Sequence, residues 1–213
     1  MKHLFLLLGF LFLGGCIDST SRSHSVYMLL DASGTYTAEL KKAQAIVNYL
    51  LGSLQPGDSL SVARINTGSF NEKDILHKVT FDGRPSKTNE QKRHFQQVMD
   101  EFVTRASGSS HTDITGGILQ AIDYLNETGA GRKTILIFSD MEEDLDKGYF
   151  RDIPLALHGI NVVALNVIKL RTDNLDPRLY MGRLADWKGK VEAGGGTWRI
   201  VNDLERLESI LER

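Results

Sequence analysis

Apolar residues fall into two patterns along this chain. Residues 26–30, 60–65, 134–138 and 162–168 are short and largely continuous apolar runs. Runs of that length suit strands covered on both faces, because a strand with one wet face alternates. Elsewhere the apolar positions recur every three or four residues, which marks one stripe of a helix. The first stripe is Ala43, Ile46, Val47, Leu50, Leu51 and Leu54, and the second is Phe95, Val98, Met99, Phe102 and Val103. Ile118, Ala121, Ile122 and Leu125 form a third, and Tyr180, Leu184, Trp187 and Val191 a fourth. Leu204, Leu207, Ile210 and Leu211 form the last. Pro56-Gly57-Asp58 stops the first helix, and Gly194, Gly195 and Gly196 stop the fourth. Residues 75–81 read as an antiparallel edge strand, 149–157 as a short helix and 198–201 as a last strand.

Strands thus alternate with helices. That order predicts an α/β fold: a doubly wound, mostly parallel sheet with one antiparallel edge strand and helices on both faces. Ligands of such sheets gather beyond the carboxyl ends of the strands. A length of 213 residues suits one well-buried domain, here 26–213. The net charge of −2 argues against nucleic acid as a partner, since there is no basic excess to release counterions.

The N-terminus follows a different rule. Lys2 and His3 precede an apolar stretch, 4–13, and then Gly14, Gly15 and Cys16. A basic start, a short apolar core and small residues describe a secretory signal, 1–15. The stretch is too short to span a bilayer. LGGC resembles the lipobox of bacterial lipoproteins, which implies cleavage before Cys16 and acylation of its thiol, as by palmitate. Cys16 is the sole cysteine, so the fold expects no disulfide. Residues 16–25 read as a polar tether, whose nine or so residues after Cys16 reach ~30 Å at most. The likeness implies a cell-envelope protein on the periplasmic side of its membrane. Ile17 directly follows the Cys and Asp18 comes one later, which leans towards the outer membrane.

Three polar groups then stand out near predicted strand ends. Asp31, Ser33 and Thr35 follow the first strand in VYMLLDASGT, Thr112 and Asp113 lie in HTDITGG, and Asp140 follows TILIFS. Each has an ordinary alternative as a helix cap or turn residue. The ordered set resembles the von Willebrand factor A domain, whose metal-ion-dependent adhesion site uses D-x-S-x-S, a lone Thr and a later Asp. Asp31, Ser33 and Thr35 match the first element, with Thr in the last place. Thr112 matches the lone Thr, with Thr115 as the neighbouring candidate, and Asp140 matches the last element. Met141 stands where the family often has Gly. The resemblance implies Mg²⁺ or Mn²⁺ held by Asp31, Ser33, Thr35, Thr112 and Asp140. It further implies a coordination position open to an acidic side chain of a partner protein, and no enzymatic activity. Oxygen donors of this kind suit a hard divalent cation.

Two other readings compete. DxxGT after an apolar strand also resembles haloacid dehalogenase-like phosphatases, with Asp31 as nucleophile, Lys133 neutralising phosphate, and Asp140 or Asp144 on Mg²⁺. Ser33 then stands where most of those enzymes carry a general acid. The other is an envelope scaffold whose metal site has lost its function. Glu142, Glu143 and Asp144 read as a solvated face. Lys169, Arg171, Arg178 and Arg183 either form a basic rim that steers an acidic partner or pair with Asp173, Asp176 and Asp186. His24, His77, His94 and His158 lack metal-ligand spacing and read as surface or packing residues, and Trp187 and Trp198 as core.

Overall fold

A computed structural model describes residues 22–33, 39–106, 108–148, 151–203 and 206–208. The signal stretch, Cys16, most of the tether and Thr35 lie outside the described residues. Among the described residues six strands and four long helices follow in the order β1 (His24–Asp31), α1 (Leu40–Ser53), β2 (Ser59–Ile65), β3 (Ile75–Thr80), α2 (Pro85–Arg105), α3 (Ile114–Glu127), β4 (Arg132–Phe138), β5 (Ile160–Leu165), α4 (Pro177–Ala193) and β6 (Thr197–Val201).

The sheet order is β3-β2-β1-β4-β5-β6. β3 runs antiparallel at its edge, and the other neighbours are parallel. The expected doubly wound sheet is therefore present. Every residue of β1 is buried, which explains its unbroken apolar run. Met28, Leu30, Leu136 and Phe138 face α1 and α2, while Tyr27, Leu29, Ile135 and Ile137 face the side of α3 and α4. Burying each such side chain contributes roughly 1.5–3 kcal/mol.

Local chemistry sets the helix ends. Pro85 and Pro177 open α2 and α4 at the position where a missing N–H costs nothing. The Asp113 side chain caps α3 by accepting from Gly116 N at 2.8 Å. A Cβ on Gly117 would come within 2.9 Å of Leu29, so this glycine lets α3 lie close on β1.

Two expectations need correction. Residues 151–157 form no helix. Pro154 cannot donate to a helical turn, and burial alternates at Leu155 and Leu157, as in extended chain. Leu157 N donates to Gly194 O at 2.8 Å and docks this segment on the end of α4. β5 also stops at Leu165, and Ile168 is exposed. Residues 206–208 are helical and Leu207 is buried, while Leu204, Ile210 and Leu211 lie outside the described residues.

Candidate metal centre

β1 delivers Asp31 to the carboxyl edge of the sheet. Its side chain is buried, with Oδ1 accepting from Ser33 N at 2.8 Å and Oδ2 from Ser139 Oγ at 2.7 Å. Ser139 Oγ in turn accepts from Met141 N at 3.0 Å. One serine thereby orients the first carboxylate and shapes the loop that carries the second. Asp140 follows it, buried, with Oδ1 accepting from Glu142 N at 2.9 Å.

Burial, and then the nearby charge of Asp31, push the Asp140 carboxyl up to about 6, against the pull of the Glu142 N–H and Arg183. Among the described residues, neither carboxylate is ion-paired with a Lys or Arg. Arg183 donates instead to the Asp140 backbone carbonyl, at 3.1 Å.

Thr112 arrives from between these two loops. Ser109 N donates to Ala32 O at 2.8 Å, which joins its loop to the β1 loop. Thr112 and Asp144 exchange backbone hydrogen bonds of 2.8 and 3.0 Å, which joins the same loop to the segment after β4. Asp113 N reaches Asn66 O at 3.2 Å, bringing in the loop after β2. Asp31, Ser33, Thr112 and Asp140 therefore share one edge. Thr115 lies in the first turn of α3, and its buried hydroxyl has no hydrogen-bond partner among the described residues.

Several charged neighbours serve structure. Asp113 pairs with Arg151 at 2.6 Å while it caps α3. Glu143 is no solvated residue: it accepts from Thr115 N at 2.7 Å and faces Lys190 at 3.6 Å. The basic rim is partly spent internally. Arg183 pairs with buried Asp173 at 2.7 Å, Arg178 pairs with Asp176 at 2.8 Å, and Lys169 sits over the Tyr180 ring. His24 is a packing residue, its Nε2 2.9 Å from Thr134 Oγ1. His77 and His94 meet edge to face.

Met141 takes φ 65°, the left-handed conformation that Gly adopts freely. Its side chain is buried, and its carbonyl accepts from Trp187 Nε1 at 2.9 Å. The departure from Gly thus leaves the loop in a glycine-like path, held by core packing.

The phosphatase reading loses its cation. Lys133 pairs in register with Ser25, six residues before Asp31, which places it ~20 Å down the sheet. It bonds to Asn126 there, at 2.8 Å. Among the described residues no group of three or more His, Cys, Asp or Glu side chains is placed to hold a metal. A cation at the Asp31–Asp140 edge would therefore need hydroxyl ligands as well. Sequence reasoning missed Ser139 and Arg151, and for Arg183 it offered pairing with Asp173 but not the contact with the Asp140 carbonyl. Ser139 had a weak signal, its place between an apolar strand and an Asp. Arg151 had none, and neither did the Arg183–Asp140 contact, since these partners are distant in the chain.

No family model and no curated protein matches this chain. Solved structures do. A von Willebrand factor type A protein from Catenulispora acidiphila aligns with TM-score 0.56 and 13% identity, over 89% of this chain and 41% of that one. The pilus adhesin SpaC from Lactobacillus rhamnosus GG aligns with TM-score 0.57 and 13% identity, over 90% and 29%. Manganese-loaded TRAP protein from Plasmodium vivax aligns with TM-score 0.50 and 16% identity, over 89% and 72%. The chain spans less than half the length of the first two. At these identities the likeness is one of fold, and the fold is that of von Willebrand factor A domains.

Proposed function

We propose that this chain is a binding module which holds Mg²⁺ or Mn²⁺ at Asp31, Ser33, Thr35, Thr112 and Asp140 and, through that cation, an acidic side chain of a partner protein. The observation that carries the reading is the meeting of two buried carboxylates, neither of them ion-paired with a Lys or Arg among the described residues. Buried charge is costly unless paired or bound to a metal. The donor set fits: carboxylates supply negative charge, and hydroxyls fill coordination places without cancelling the cation's charge. Ser33 N and Ser139 Oγ hold the Asp31 carboxylate in one orientation. Glu142 N does the same for Asp140. When bound, the cation supplies an electrophilic position for an outside carboxylate. The manganese of the TRAP structure and the adhesin role of SpaC, which belong to those proteins, support the reading by analogy of fold.

In the same proposal, Cys16 carries the lipid and the module works in the bacterial cell envelope, on the periplasmic side of the outer membrane. Labelled palmitate should enter the wild type and not Cys16→Ser.

Calorimetric titration with Mg²⁺ and Mn²⁺ tests the site. The wild type should bind, and Asp31→Ala and the near-isosteric Asp31→Asn should each lose at least about tenfold in affinity, roughly 1.4 kcal/mol. Circular dichroism checks that each variant is folded. Equal affinity in folded variants and wild type would retire the site and leave a scaffold.

A further inference from the structure

Exposed apolar side chains are unevenly placed on this molecule. Ile168, Leu175, Leu179 and Met181 are 37%, 88%, 52% and 64% exposed and all fall within 168–181. The segment follows the carboxyl end of β5 and runs into α4. α4 turns Leu184, Trp187 and Val191 into the core, so Leu179 and Met181 are spare to the fold. Leu175 is more telling. It precedes Asp176, the cap of α4, and an apolar residue there ordinarily folds back on the fourth helical residue. That residue is Tyr180, and Lys169 and Arg183 cover its ring at 5.8 and 5.6 Å while Leu175 stands in solvent.

The same segment carries positive charge. Lys169, Arg171 and Arg178 are exposed. Asp173 is buried against Arg183 and also feels the Lys169 charge, and Asp176 is engaged by Arg178, so Lys169, Arg171 and Arg178 outnumber the two carboxylates of the segment. The patch also adjoins the candidate metal edge. Leu179 lies one helical turn, ~6 Å, before Arg183, which donates to Asp140 O.

We infer that 168–181 is a docking surface for an acidic, apolar stretch of a partner protein. Leu175 and Leu179, flanked by Ile168 and Met181, take its apolar side chains, and Lys169 and Arg171 take its carboxylates. The inference rests on the metal-dependent reading for its choice of a protein partner and extends that contact beyond one carboxylate. Exposed apolar groups next to unbalanced cations match such a stretch in both hydrophobicity and charge. An anionic lipid surface shares this chemistry. The sheet's direction favours protein, since the chain enters β1 at His24 and the patch lies at the other end of strands ~20–26 Å long.

The test pans a random twelve-residue peptide library, displayed on phage, against the purified full-length chain in mild detergent with Mg²⁺. Enriched peptides should join Asp or Glu to Leu, Ile or Phe. Their affinity should fall at least about tenfold for Leu175→Ser/Leu179→Ser, and several-fold for Lys169→Glu/Arg171→Glu. Both pairs are exposed, so the variants should keep the wild-type melting temperature. Peptides that bind Asp31→Ala like wild type but lose the leucine variant support the surface and sink the metal reading. Peptides lost by Asp31→Ala and kept by the leucine variant overturn the surface alone. No enrichment overturns it too, as does leucine-dependent binding to phosphatidylglycerol vesicles without any enriched peptide.

Discussion

Met141 and Phe70 are both non-glycine residues in left-handed backbone, at φ 65° and 86°, yet their side chains differ in what they touch. Met141 is fully buried, whereas Phe70 is 53% exposed. Left-handed strain costs a residue with a Cβ roughly 1–2 kcal/mol, and emptying a buried site costs about 2–5 kcal/mol. Burial therefore wins at Met141 and strain at Phe70. Met141→Gly should destabilise by about 2 kcal/mol, and Phe70→Gly should stabilise by up to ~1 kcal/mol, both read from urea unfolding midpoints. Shifts of the same sign would show that the conformational term does not decide. The contrast also shows what one residue's sequence context can carry. Asp31 and Asp140 stood out because each follows an unbroken apolar strand. Nothing local marked Met141 as left-handed, because the core contact that holds it there comes from Trp187, far along the chain.

At the scale of elements, three separate pieces of chain are tied by one side chain. Arg151 donates through Nη2 to Asp113 Oδ2 at 2.6 Å and to Ser69 O at 3.1 Å, and through Nε to Asp113 Oδ1 at 3.0 Å. It thereby joins the loop after β2, the Thr112 loop and the extended segment 151–157. Asp113 is 1% exposed, so Arg151→Met would leave a buried carboxylate without its counter-ion. The expected loss is about 3 kcal/mol. Asp113→Asn keeps an oxygen for the α3 cap and removes the charge. The double variant should therefore lose clearly less than the two single losses added together, and strict additivity in chemical denaturation would refute the pairing. The helices and strands themselves were legible wherever an apolar period ran long enough, as in α1, α3, β1 and β4. Residues 151–157 were not, because seven residues with two buried leucines support either period. The docking on Gly194 that decides between them is a tertiary contact.

Across the whole molecule the sheet has a direction, and a different titratable group is buried at each end. Carboxylates and loops occupy the end where β1 and β4 finish. At the other end, where β1 begins, the His24 ring is buried between Thr134 and Arg132. Its Nδ1 accepts from Arg132 Nη2 at 3.1 Å, so Nε2–H donates to Thr134. Burial first, and the Arg132 charge second, push its pKa from 6.5 down to about 4, with Asp58 opposing. The unfolded chain therefore binds this proton more readily than the folded one. Stability from His24 is fully present above pH 6.5 and is lost as pH falls through the window down to about 4. The loss amounts to about 3 kcal/mol in that window. Asp140 pulls the other way, since its raised carboxyl favours the folded state on the acid side as pH drops below about 6. The wild-type curve alone would blend the two. Subtracting the curve of His24→Gln, which has no proton to gain, isolates the histidine. That difference should fall steadily between pH 6.5 and 4 in thermal or urea unfolding. A flat difference would show that the His24 imidazole has no part in the acid sensitivity of the fold.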